Sequence, residues 1–149
     1  MKKSLYLILA AVLVAAAGCR QGANMNESQK PARDGVFVHI SHGTDDVHRV
    51  LMGLQMAVIM SEDRDVLVYF DIRGVDVVLK DADDLAFSHF PSSKTQLQKL
   101  LEKNIPVMAC PGCLKAAGKT PADLMEGIQI ADKDRFFDFT AGRILTIDY

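Results

Sequence analysis

Two cysteines three residues apart, Cys110 and Cys113, stand in the stretch IPVMACPGCLKAAGK, residues 105–119. The apolar run before them reads as a strand and the run after them as a short helix, so Cys110 falls at the joint. Unpaired amide protons and the positive end of the dipole at a helix start stabilise a thiolate, which is the nucleophilic form of the side chain. Cys113 follows by about one helical turn, close enough for the two sulfurs to meet. Three chemistries fit this spacing: a reactive thiol centred on Cys110, a soft-metal clip, and an inert pair or structural disulfide.

A metal clip needs further ligands. A closed zinc site takes four, usually as two such pairs, and this chain has one pair. With His42 or His39 added, the soft donors favour copper(I) over zinc; the reading adopted is no metal and no cofactor. His42 follows a strand and precedes Gly43, so it is a candidate base or proton partner for Cys110, or else a helix cap or a solvated side chain. His39 lies inside the strand and reads as a satisfied core residue. His48 reads as solvated, and His89 sits in an acidic loop. The run DADDLA reads as a solvated face, with too few carboxylates around a glycine for a calcium loop. The order CPGC differs from the CGPC of thioredoxins, and no Trp precedes it.

The elements that must place these residues alternate between strand and helix. GVFVHIS is a buried strand, and HGTDD is a turn in which Thr44 or Asp45 can cap a helix over DVHRVLMGLQMAVIMSED. On that helix Val47, Val50, Leu51, Leu54 and Val58 form one apolar stripe. Met52, Met56 and Ile59 form a second on another face, which needs a neighbouring helix or another subunit to cover it. DVLVYFD is a second strand, extended by IRGVDVVLK or followed by it as a short extra one. SSKTQLQKLLEKN is an amphipathic helix capped by Ser and ended by Asn104. IPVMAC is a third strand, PGCLKAAG a short helix, TPADLMEG a helix capped by Thr120, DKDRFFDFT a helical turn and RILTIDY a last strand. This alternation predicts an α/β domain with a mainly parallel sheet covered on both faces. Ligands of such sheets bind beyond the carboxyl ends of the strands. SHGTDD, DIRG and CPGC all arrive there, which puts His42 on the edge that carries Cys110.

The chain has 149 residues, 49% hydrophobic and 24% charged, with a net charge of −2. That suits one domain with a filled core. It disfavours a nucleic-acid partner, which needs clustered Lys and Arg. The start has a different logic. MKKS is basic, LYLILAAVLVAAA is an apolar run the length of a signal-peptide core, and AAGC ends in Cys19. This resembles the lipobox of bacterial lipoproteins, with Ala16 where Leu is usual. The resemblance implies a signal peptide over 1–18 and acylation (palmitate included) of Cys19. Arg20 in second place resembles an outer-membrane address facing the periplasm. RQGANMNESQKPARDG lacks any period and reads as a flexible tether over 19–34, followed by the domain over 35–149. With Cys19 lipidated, the domain keeps two cysteines in a potentially oxidising compartment.

GVFVHISHGTDDVHRVLMGLQMA, the strand DVLVYFD, the segment TQLQKLLEKNIPVMAC, and Cys110 followed eight residues later by Gly118 together resemble the DsrE/DsrF-like family across about residues 35–149. The resemblance implies a flavodoxin-like three-layer domain assembling into trimers or hexamers, which matches a helix apolar on two faces. Some members carry sulfur as a persulfide on the matching cysteine, in sulfur oxidation or tRNA thiolation. By position that role falls on Cys110. Those members work in the cytoplasm with protein partners, and Cys113 is outside their minimal pattern. A vicinal thiol attacks a persulfide and closes a disulfide, so the pair favours redox turnover over sulfur storage. The expected protein is a lipid-anchored, DsrE-like homo-oligomer. Its thiol redox or sulfur-handling site is Cys110, Cys113 and His42, and a thiol or sulfur-donor protein is its partner. The rival is a non-catalytic oligomeric binding module whose cysteines form a disulfide or hold a soft metal.

Overall fold

The computed structural model describes residues 33–149. The expected signal peptide, Cys19 and nearly all of the expected tether lie outside the described residues. Five strands form one sheet: β1 (Gly35–Ile40), β2 (Asp65–Phe70), β3 (Val107–Ala109), β4 (Gln129–Ile130) and β5 (Ile144–Asp148). Their order is β4-β3-β2-β1-β5, and every neighbouring pair is parallel. The helices are α1 (Val47–Met60), α2 (Ser93–Glu102), α3 (Pro111–Ala116) and α4 (Lys133–Phe139). Among the described residues no helix is long and apolar enough to cross a membrane.

Alternation along the strands divides the sheet into two faces. Val36, Val38, Ile40, Val66, Val68, Phe70, Val107 and Ala109 belong to the larger apolar core, with Val50, Leu54 and Ala57 of α1, Leu97 and Leu100 of α2, and Leu114 of α3. Phe37, Leu67, Tyr69 and Met108 form a smaller cluster with Phe136 and Phe139 of α4. The result is a three-layer α/β domain, with three helices on one face and α4 on the other.

Local signals set the helix limits. Asp46, one residue after the expected caps, accepts the Arg49 amide at the start of α1. Ser92 caps α2 through the Thr95 amide. Asn104 ends α2 with a left-handed φ of 57°, and the Asn104 and Ile105 amides close on the Leu101 and Leu100 carbonyls. The inward stripe of α1 is buried at Val50, Leu51 and Leu54, whereas Met52 and Ile59 are 37% and 50% exposed.

Three segments depart from the expected elements. IRGVDVVLK holds a 3-10 turn over Gly74–Val78 in place of a strand, because the chain must bend back beside the end of β1. Gly74 donates to the Ser41 and Asp71 carbonyls at 3.2 and 2.7 Å, and a methyl group there would collide with the Ile40 carbonyl oxygen. TPADLMEG forms only a 3-10 turn over Pro121–Asp123, because Leu124 leaves it to bridge Leu79. Gln129–Ile130 is an edge strand that the sequence pattern does not announce.

Candidate functional site

Cys110 follows β3, and its backbone N–H donates to the Phe70 carbonyl at 2.8 Å. Its extended backbone makes it the N-cap of α3, with Pro111 in the first turn. The Cys110 Sγ accepts the Cys113 N–H at 3.5 Å, within range for the large sulfur atom. Burial pushes the Cys110 thiol up. The Tyr69 hydroxyl, the Cys113 amide and thiol and the Gly112 amide donate to the sulfur and outweigh it, so the thiol ionises below its ordinary range. Tyr69 is held protonated by burial and by this bond, its pKa pushed far above the usual phenol value. It therefore keeps a proton to offer Cys110.

Cys113 behaves in the opposite way. Burial raises its thiol, the Ile72 amide partly offsets that, and a thiolate on Cys110 and the charge of Asp71 raise it further. The first ionisation of the pair belongs to Cys110, and the resulting charge holds the proton on Cys113. Both cysteines are free thiols and half-buried. Cys113 lines an open depression of about 430 Å³ with Ile72, Arg73, Asp76, Ala116 and Ala117. Ile72 is 62% exposed and holds a left-handed φ of 48°, an unusual state for a β-branched residue.

His42 is on the same sheet edge, but its Nδ1 lies 2.8 Å from Asp45 Oδ2. The Gly43 amide and the His42 ring hold the Asp45 carboxyl down to about 2. Arg73 approaches the same carboxylate at 3.4 Å. His42 thus closes the turn before α1 and is not among the groups around Cys110.

The histidine beside the cysteine site is His39. Its Nδ1 lies 2.8 Å from Asp148 Oδ1, and its Nε2 lies 2.8 Å from Asp71 Oδ1. The Asp71 contact is a close ionic approach without hydrogen-bond alignment. The ring stacks on Tyr69, with centroids 5.6 Å apart. Burial opposes protonation of His39, but the two carboxylates overcome it and raise its proton affinity. His39 pairs in register with Tyr69 on one side and Asp148 on the other, and Tyr69 pairs with Met108. Alternation then puts His39, Tyr69, Asp71, Cys110 and Asp148 on one face, at the carboxyl ends of four strands. His39 is therefore an ion-paired part of the site and not a core histidine. Among the described residues no three His, Cys, Asp or Glu side chains converge at metal-binding spacing.

A parallel five-stranded sheet with a cysteine at the end of its third strand, capping a short helix, defines the class. The chain belongs to the DsrE/DsrF-like family, whose model matches residues 34–143. Among solved structures it is similar to the YchN protein from E. coli, at 17% identity over 77% of this chain and 98% of that one, with a TM-score of 0.59. It is also similar to the protein MTH1491 from Methanobacterium thermoautotrophicum, at 20% identity over 78% of this chain and 98% of that one, with a TM-score of 0.56. At these identities the likeness establishes a DsrE-like fold. No functionally curated protein matches the chain.

Proposed function

We propose that this protein carries a thiol-based redox or sulfur-handling site in which Cys110 is the nucleophile and Cys113 the resolving thiol. The observation that carries this reading is the unequal treatment of the two sulfurs. Cys110 receives the Tyr69 hydroxyl and two amides, while Cys113 is raised by burial and by its neighbour. A low-pKa first thiol with a higher-pKa partner one turn away is the arrangement that attacks a disulfide or persulfide and then releases the product. In this reading the Cys110 thiolate attacks the S–S bond of a disulfide or persulfide substrate and expels the substrate's other sulfur as a thiolate, leaving a mixed disulfide or persulfide on Cys110; Cys113 then attacks Cys110, expels the carried thiolate or hydrosulfide, and closes the internal disulfide.

Removing the second step tests this. After reduction and exposure to glutathione disulfide, Cys113→Ser should accumulate a glutathione adduct on Cys110, and the wild type should proceed to a Cys110–Cys113 disulfide. Peptide mass spectrometry reads both. Equal adducts on the two cysteines, or an adduct on Cys113 in Cys110→Ser at the same rate, would sink the assignment.

The site is proposed to face the periplasm from a lipid anchor on Cys19. The signal-like start and AAGC motivate this. The mature protein should begin at an acylated Cys19 by intact-mass analysis, and an unprocessed Met1 contradicts it. A homo-oligomer, trimer or hexamer, is proposed on the exposed Met52 and Ile59 face of α1. The partner class is a thiol or sulfur-donor protein.

A further inference from the structure

Cys113 lines a depression that the two-thiol reading leaves without an occupant. It measures about 430 Å³, within the range of small-ligand sites, and Ile72, Arg73, Asp76, Ala116 and Ala117 complete its wall. Arg73 and Asp76 bring opposite charges to it. They are three residues apart, with the Asp76 amide bonded to the Arg73 carbonyl at 3.1 Å, yet among the described residues the ion pair of Arg73 is with Asp45 and not with Asp76. That pair is loose. Arg73 Nε lies 3.4 Å from the Asp45 carboxylate, longer than the roughly 2.7–2.9 Å of a charge-assisted hydrogen bond. A positive and a negative group thus line one hollow without neutralising each other. The short side chains of Ala116 and Ala117, at the end of α3, keep it open. Ile72 is 62% exposed and holds a left-handed φ of 48°, and strained backbone of this kind clusters at ligand sites.

Resting on the reading of Cys110 and Cys113 above, we infer that this depression takes the amino-acid head of a small disulfide, cystine being the simplest, with its carboxylate on Arg73 and its ammonium on Asp76. A ligand that matches a thiol, a guanidinium and a carboxylate around one hollow needs a sulfur, an anion and a cation within a few bonds. A free cysteine half has all three. A cysteine inside a polypeptide has its amine and carboxyl tied up in amides and would use neither charge. The Cys110 sulfur borders the same place: it accepts the Cys113 N–H at 3.5 Å, and a methyl group on Gly112 would meet that sulfur at 3.8 Å in otherwise open space.

The reaction balances without a further reagent. The Cys110 thiolate attacks one sulfur of cystine, the S–S bond breaks, and one cysteine leaves as a thiolate with the electron pair. The other half stays on Cys110 and lies in the depression beside Cys113. Cys113 gives its proton to solvent, attacks the Cys110 sulfur and expels the second cysteine as a thiolate. Cystine is the oxidant, reduced to two cysteines as the pair closes its disulfide.

Four symmetric disulfides permute the two charges. Cystine carries both, 3,3′-dithiodipropionate only the carboxylate, cystamine only the ammonium, and 2-hydroxyethyl disulfide neither. The reduced full chain is exposed to each, quenched with acid, alkylated and read by mass spectrometry of the peptide that holds Cys110 and Cys113. Dividing a variant's rate of pair oxidation by the wild-type rate cancels the intrinsic reactivity of each disulfide. The ratio for 2-hydroxyethyl disulfide is the reference for any change in the site at large. Against that reference, Arg73→Gln should slow cystine and dithiodipropionate by about threefold or more, the scale of an exposed ion pair, but not cystamine. Asp76→Asn should slow cystine and cystamine to a similar extent, but not dithiodipropionate. Lys115 is exposed on α3, two residues after Cys113 and outside the lining of the depression. If Lys115→Gln slows cystine as much as Arg73→Gln does, the effect belongs to the general field of the surface and the inference is overturned. A charge effect confined to one of the two lining residues overturns the amino-acid match. Four equal ratios in both variants overturn the substrate class alone, because the pair still closes. A wild type whose Cys110–Cys113 disulfide forms with none of the four overturns the two-thiol reading, and this assignment with it.

Discussion

Cys110 and Cys113 share a half-buried setting, yet their chemistry differs because of three or four donors. The Tyr69 hydroxyl lowers the Cys110 thiol as a donor toward its sulfur, and its own pKa is raised far above the usual phenol value, so it stays protonated across the working range. A hydrogen bond to a charged acceptor contributes about 1.5–3 kcal/mol. Cys110 is partly exposed, so solvent takes over some of that, and the lower end applies. Loss of the Tyr69 hydroxyl should therefore raise the Cys110 thiol back toward its ordinary range. The cysteines were legible in the sequence from their spacing at a strand–helix joint. His39, Tyr69 and Asp71 were not. FVHI and LVYFD read as continuous apolar strands, buried on both faces, and such runs mask the period of two that would sort one face from the other. Their alternation does put His39 two positions after Phe37, and Tyr69 and Asp71 two and four after Leu67. Pairing these with the Cys110 face requires the register, which is a tertiary fact. His42 was placed on the right edge, but the nearer carboxylate of Asp45 takes it.

At the scale of elements, the parallel βα units and the order of four strands were legible because capping residues and apolar periods agree with them. Ser92, Asn104 and the CPG joint each mark a boundary where the chain uses it. Two of the three misses share one physical cause. GVDVV is β-branched and favours strand locally, but β2 already lies between β1 and β3, so no edge is open beside it. The chain instead tightens into a 3-10 turn and sends Leu79 to bridge Leu124, and that bridge also cuts short the helix signalled by Thr120 and Pro121. The same tightening sets Gly74 on the end of β1 and leaves Ile72 left-handed at the rim of the site. Tertiary pairing thus overrode local propensity where the chain turns toward Cys113.

For the whole molecule, the second apolar stripe of α1 is the face through which the proposed homo-oligomer would form. Met52 and Ile59 remain exposed although their helix packs firmly through Val50, Leu51 and Leu54. If this face is covered by another copy, Met56→Asp buries an unpaired charge at the contact, which is too costly to retain. Light scattering should then show wild-type oligomer and variant monomer, both folded by circular dichroism. A wild-type monomer at micromolar concentration contradicts the assembly.

The most direct test of the central claim is the alkylation rate of each cysteine with iodoacetamide, followed across pH by peptide mass spectrometry on the reduced protein. The midpoint for Cys110 should lie below the ordinary thiol value of about 8.5 and that for Cys113 above it. The sign follows from the shifts: a lowered Cys110 leaves more thiolate at neutral pH, and a raised Cys113 leaves less. Tyr69→Phe should carry the Cys110 midpoint up and leave that of Cys113 above it. Equal midpoints at the value of a free peptide thiol, unmoved by Tyr69→Phe, would contradict an activated Cys110.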